Sequence, residues 1–138
     1  MFKTSMTIEW GDCDEAGIVF YPNYFYWFDC AFQRLLRSRG LSQRELRQRF
    51  RAVTPIVKAD AEFKAPARYD DELEIEVAIS AEGERRFRAG YLLRSNDTTI
   101  AVGYELRAFA RIAEDGSLRG GPVDPQFLAL LVPCFRSS

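Results

Sequence analysis

Histidine is absent from all 138 residues. That excludes a Ser-His-Asp relay and a zinc site of the ordinary histidine-containing kind. Cysteine is scarce as well: Cys13, Cys30 and Cys134 form an odd set without metal spacing, so no disulfide framework is expected and packing is the job assigned to all three. Charge of one sign is not in excess either, with nineteen basic and twenty acidic side chains and a net charge of -1. No overall field recruits nucleic acid or a membrane surface, and any anion site has to be local. No apolar run is long enough to span a bilayer, and the first residues lack the apolar segment of a signal peptide. The cytoplasm is the expected compartment, with no nucleic-acid partner, no membrane contact and no metal.

What is present is apolar and aromatic: 47% of residues are hydrophobic and 14% are Phe, Trp or Tyr. At this length that suffices for one packed core, so residues 1–138 read as a single domain. Phe2, Met6, Ile8 and Trp10 alternate with polar residues, which predicts a half-buried strand over residues 2–10. From Pro22 to Arg39 the aromatics recur at helical spacing. Tyr24, Trp27, Phe28, Ala31, Phe32 and Leu35 make one face, Phe25, Tyr26 and Leu36 fill much of the other, and Gly40 stands where a helix stops. A helix apolar nearly all round must be enclosed, and in one small domain a curved antiparallel sheet does so most simply.

Ser42 and Glu45 are spaced as a capping box, predicting a second helix to Phe50. The seven arginines from Arg34 to Arg51, against the single acid Glu45, read as a solvated face or a phosphate site. Four alternating segments follow. Odd positions are apolar in Val57 to Ala65, in Glu72 to Ile79 and in Phe87 to Leu93. After the Asn96-Asp97 turn, Ile100, Val102, Tyr104, Leu106 and Ala108 continue the alternation and close a hairpin. Sequential strands joined by short turns favour antiparallel pairing. Pro125 to Leu131 is a short terminal helix at most.

The chemistry is expected where the first strand meets the aromatic helix, in the stretch GDCDEAGIVFYPNY from Gly11 to Tyr24. Asp12 and Asp14 precede a turn of small residues, and Pro22 suits a first helical position. Free N–H groups at a helix start, with the positive end of the dipole, can hold a carbonyl oxygen gaining negative charge. A carboxylate beside such a donor can attack or deprotonate. As a plain structural alternative, Asp14 could simply cap the helix entry.

The run Asp-x-Asp-x-Ala-Gly-Ile-Val-x-Tyr-Pro-Asn-Tyr over residues 12–24 resembles the signature of acyl-CoA thioesterases of the hotdog fold. It is most similar to the Asp-dependent branch of the 4-hydroxybenzoyl-CoA thioesterase family. The likeness continues through the long helix and the Thr54-Pro55-Ile56-Val57 segment that opens the later strands. It implies an α+β hotdog domain, a five-stranded antiparallel sheet wrapped around a long central helix. It also implies hydrolysis of a CoA thioester without a cofactor, with an aromatic acyl group as the best guess, by a homodimer or homotetramer.

Residue by residue, the resemblance puts the catalytic acid at Asp14 and leaves Asp12 to brace the loop. It assigns the carbonyl-polarising backbone N–H to Tyr21, with Gly17 and Ile18 in the turn leading to it, and the acyl group to Tyr24 and Trp27. In aryl-specific relatives the position of Asp29 lies close to the aryl group. Otherwise Asp29 would bond an arginine such as Arg34 or a strand amide. Arg85, Arg86 and Arg88 stand where relatives hold CoA phosphates, or else are solvated strand ends. Another branch keeps its acid as a glutamate on the helix, and there is none between Pro22 and Arg44. Two departures stand out: Glu15 replaces a proline that close relatives carry, and Glu84 lies in a turn that is basic in them. The rival readings are an acyl-carrier-protein thioesterase and a non-catalytic acyl-CoA binding protein.

Overall fold

A computed structural model describes residues 1–131; Cys134 lies outside them. Three long strands form an antiparallel meander: β4 (Glu72–Glu82), β5 (Arg86–Ser95) and β6 (Thr98–Ile112). β1 (Phe2–Thr7) pairs with the outer edge of β4, and β3 (Ile56–Phe63) pairs with β6. These are the five expected strands, and every pairing is antiparallel. Two short ones extend β6 at its end: β2 (Ala52–Val53) and β7 (Leu118–Gly121). Among the described residues the sheet therefore has seven strands rather than five.

The concave side is filled by α1 (Pro22–Ser38), which buries Tyr24, Trp27, Phe28, Ala31, Phe32, Leu35 and Leu36. Phe28 stacks flat on Tyr91 of β5 with ring centres 4.5 Å apart, and Phe32 lies against Phe87 at 5.9 Å. The helix can come this close because β6 has no side chain at Gly103. A Cβ there would stand 2.6 Å from the Phe28 ring and 2.5 Å from the Asp60 carbonyl oxygen, well inside contact distance. At its far end Gly40 takes a φ of +69°, and the Gly40 and Leu41 amides donate to the carbonyls of Arg37 and Leu36. This is the glycine-terminated helix end read from the sequence.

The capping box of Ser42 and Glu45 forms as expected and starts α2 (Gln43–Phe50). Along the basic run Arg37, Arg44, Arg47, Arg49 and Arg51 are exposed. The terminal helix is α3 (Pro125–Leu131), which inserts Phe127 between Phe50, Phe87 and Phe109.

Four expectations are corrected. The first strand stops at Thr7, and a single 3-10 turn over Trp10–Asp12 leaves Trp10 75% exposed. On β6 the core face is Ala101, Glu105, Arg107 and Phe109; of the even positions that looked apolar Ile100 is buried, whereas Val102, Tyr104, Leu106 and Ala108 are only half-buried. Glu105 and Arg107 neutralise each other inside, so charge there does not mean solvent. β3 buries neither side, leaving Ile56, Val57 and Phe63 about half exposed. Finally, α1 is not enclosed all round, since Tyr26 is exposed on its outer face.

Candidate active site

Residues 8–21 cross one end of the sheet, from the end of β1 to the start of α1, and are pinned at both ends. Ile8 donates its N–H to the Asp71 carbonyl at 2.9 Å and accepts from the Asp70 N–H at 2.8 Å. Val19 donates to the Ala67 carbonyl at 2.9 Å, so the loop before β4 backs the whole segment. Asp12 closes its neck. The Asp12 carboxylate accepts the Glu9 N–H at 2.8 Å, and its carbonyl accepts from Phe20 N–H at 2.9 Å and Asn23 Nδ2 at 2.8 Å. It braces the loop, as the resemblance implied.

Inside that neck Asp14 makes a smaller turn. Its N–H donates to Ile18 O, its carbonyl accepts from Gly17 N–H, and Oδ1 accepts from Ala16 N–H, all at 2.9 Å. Gly17 closes the turn with φ at +79°, a conformation that glycine adopts without steric cost. The backbone thus holds the Asp14 side chain by one oxygen. Oδ2 has no hydrogen-bond partner among the described residues and is exposed.

Two cavities border the loop. One, of about 260 Å³, is walled by Asp14, Cys13, Gly17, Trp10 and Tyr69, the last two meeting edge to face at 5.4 Å. The other, of about 430 Å³, is apolar and lies between Ile18, Tyr21 and Tyr24 on one side and Phe63, Ala65 and Ala67 on the other. Tyr24 rests on Phe63 at 5.3 Å and on the buried Trp27 at 5.6 Å. Burial, with the nearby Cys13 thiol adding to it, pushes the Tyr24 hydroxyl up to about 12. It stays a neutral hydrogen-bond donor at any physiological pH.

Tyr21 is the residue before the first helical position, which Pro22 occupies without an N–H of its own. The flanking amides of Phe20 and Asn23 are bonded to Asp12 O and Phe20 O, whereas the Tyr21 N–H has no partner among the described residues. A free backbone donor at a helix start, beside an apolar cavity and in the same loop as an open carboxylate oxygen, is equipped to polarise a carbonyl while the acid or a water attacks it.

Other candidates fall elsewhere. Asp29 lines neither cavity. It accepts from Arg107 at 2.8 Å and Gln33 at 3.2 Å, while Arg34 bonds Thr4 and Ser5. Arg86 pairs with Glu82 and Ala108, at the opposite end of the sheet from the Glu74 and Arg94 pair near the site. Eight residues of strand separate these ends, roughly 26 Å. Arg85 sits in the adjoining turn, and Arg88 lies on the outer face, stacked 3.7 Å over Tyr104. Among the described residues no cluster of His, Cys, Asp and Glu could hold a metal ion.

Sequence reasoning passed over Phe63, Ala67 and Tyr69 as site residues. Only the last was detectable in principle, as an aromatic set among polar residues before a strand. The two walls depend on which loops the tertiary fold lays together.

A family model described as the thioesterase-like superfamily matches residues 8–131. The chain belongs to this superfamily. A 4-hydroxybenzoyl-CoA thioesterase of Pseudomonas sp. strain CBS-3 is 45% identical over 74 residues, 52% of this chain and 52% of that protein. The match thus spans about half the length of that relative. A 1,4-dihydroxy-2-naphthoyl-CoA hydrolase of Synechococcus elongatus is 30% identical over 102 residues, covering 73% of this chain and 75% of it. Among solved structures, a mutant 4-hydroxybenzoyl-CoA thioesterase complexed with 4-hydroxybenzoyl-CoA superposes with a TM-score of 0.81 at 32% identity, over 94% of this chain and 97% of that one. The hotdog architecture of the superfamily, helix inside and antiparallel sheet outside, is the one described above.

Proposed function

We propose that the protein hydrolyses an aryl-CoA thioester to the free acid and CoA. The observation that carries this is the pairing, within one hydrogen-bonded loop, of an open Asp14 oxygen with the unbonded Tyr21 N–H beside an apolar cavity. The thioester carbonyl oxygen accepts the Tyr21 N–H, where the helix start stabilises the charge that develops on it. Asp14 then either attacks the carbonyl carbon, expelling CoA as thiolate and leaving an acyl anhydride for water to open, or takes the proton of a water that attacks directly. Both routes consume one water and give the same products. Gly17 and Ile18 shape the turn, and Tyr24, supported by Trp27, receives the acyl ring.

The working unit in this proposal is a homodimer paired through β3. The β3 edge away from β6 is unpaired, and the apolar Ile56, Val57 and Phe63 beside it are exposed, which an isolated sheet edge avoids. Two-fold antiparallel pairing sets the Phe63 end of one β3 beside the Ile56 end of the other. The far ends of the partner's strands then approach the Asp14 end, and Arg85, Arg86 and Arg88 of the partner subunit become candidates for the CoA phosphates. No helix among the described residues is long and apolar enough to cross a membrane. Cys13 and Cys30 are free thiols, in keeping with a reducing cytoplasm, where we place the reaction.

Release of free thiol from a panel of aryl- and alkyl-CoA thioesters tests the reading. Aryl thioesters should turn over fastest, and a protein inert toward every thioester in the panel, including carrier-protein-bound acyl groups, refutes it.

A further inference from the structure

Tyr24 is 4% exposed and carries a hydroxyl for which the fold supplies no partner. Its ring is held by Trp27, edge to face at 5.6 Å, and by Phe63 at 5.3 Å. A phenylalanine could make the same ring contacts, so packing does not account for the oxygen. The hydroxyl makes no hydrogen bond among the described residues, yet it is not sealed in. Its oxygen keeps accessible surface although the residue as a whole is buried. The space beside it is the apolar cavity of about 430 Å³, which Tyr24 lines.

The other polar side chains around that cavity are accounted for. Lys64 is paired with Glu62 at 2.7 Å, and the Tyr21 phenol belongs to a residue that is 59% exposed. Two unspent donors remain at the start of α1, three residues apart: the Tyr24 hydroxyl and the Tyr21 backbone N–H. A long side chain in a helix leans back over the turn N-terminal to its own Cα. The Tyr24 ring therefore lies toward the turn that carries the Tyr21 N–H. Its hydroxyl is also near enough to the Cys13 thiol for the two to interact electrostatically, which sets it toward the Asp14 loop. Apolar walls give a water molecule too few partners to be held well, so the fitting acceptor is an oxygen that a ligand brings.

We propose that the Tyr24 hydroxyl is a catalytic donor: it gives a second hydrogen bond, beside that of the Tyr21 N–H, to the thioester carbonyl oxygen as that oxygen becomes negative. This rests on the thioesterase reading above and needs the residues of one chain only. The hydroxyl donates without giving up its proton, and the charge on the oxygen returns to the carbonyl when CoA leaves as thiolate. Burial keeps the phenol in its neutral, donating form. Held by Trp27 and Phe63, the donor is oriented before charge develops, which is what makes such a bond stronger in the transition state than in the ground state.

The test is Tyr24→Phe, which deletes one oxygen that nothing in the protein bonds and should melt as the wild type does at neutral pH. Its kcat should fall by about 10²-fold, the effect of losing one donor to an oxyanion. The fall should be alike for aryl and alkyl thioesters, since all present the same carbonyl. Substrate affinity, measured by calorimetry with Asp14→Asn in both proteins to stop turnover, should move less than about threefold. In the same Asp14→Asn background, with a bound thioester isotope-labelled at its carbonyl carbon, adding Tyr24→Phe should shift the carbonyl infrared band to higher frequency. Turnover within about threefold of the wild type, or an unmoved band, overturns the proposal while sparing the thioesterase reading. So does a loss confined to KM or to acyl groups with a polar ring substituent, which would make the hydroxyl a contact for the acyl group instead. A wild type inert toward every thioester removes both.

Discussion

Asp14 and Asp12 stand two residues apart and do different work because the backbone treats them differently. The Asp12 carboxylate is spent on the Glu9 amide and its carbonyl on Phe20 and Asn23, whereas Asp14 keeps Oδ2 open. In the proposed reaction Asp14→Asn preserves the shape of the turn and removes only the group that acts in the transition state. Turnover should fall by at least about 10²-fold with substrate affinity retained. Asp12→Asn should instead lower the melting temperature, through a weaker bond to the Glu9 amide. Steady-state thiol release with calorimetry and thermal melts separates the two. Near-normal turnover in Asp14→Asn would end the mechanism.

At the level of elements, α1 couples the site to the core. Its first turn offers the Tyr21 amide and Tyr24 to the cavity, and its next turns lock onto β5 through Phe28 and Phe32. Burial raises Tyr24 from its ordinary 10.0 to about 12, and raises Tyr91 on β5 well above its ordinary value. A hydroxyl whose folded value lies above its unfolded one contributes stability that is complete below the unfolded value and lost as pH climbs through the folded one. The helix-to-sheet contact should therefore weaken from about pH 10 to about pH 12. Tyr24→Phe removes one of the two ionisations and should flatten part of that loss. Denaturant midpoints of wild type and variant across this range check it, and parallel curves would mean Tyr24 does not titrate with unfolding.

For the whole molecule, the proposed pairing across the β3 edge would bring residues of two chains to one site. Light scattering should give a dimer at micromolar concentration. A monomer that keeps full activity would reject the pairing.

The sequence by itself carried the local structure. Alternation marked β4 and β5, the capping box and glycine stop marked the helix ends, and the Asp14 to Tyr24 run marked the loop, because each depends on neighbours within a few residues. It misread whatever depends on distant partners. Val102, Tyr104 and Leu106 look like a core face, yet β6 turns Glu105 and Arg107 inward, since their mutual pairing and the helix above offset the burial of charge. Trp10 looks like a strand residue, but the Glu9 and Asp12 exchange turns the chain before it and leaves the ring facing Tyr69. Asp29 met Arg107, seventy-eight residues away, and not Arg34. The walls of the apolar cavity come from loops about forty residues apart in the chain. Only packing of α1 inside the sheet brings them together, which no periodicity within either segment records.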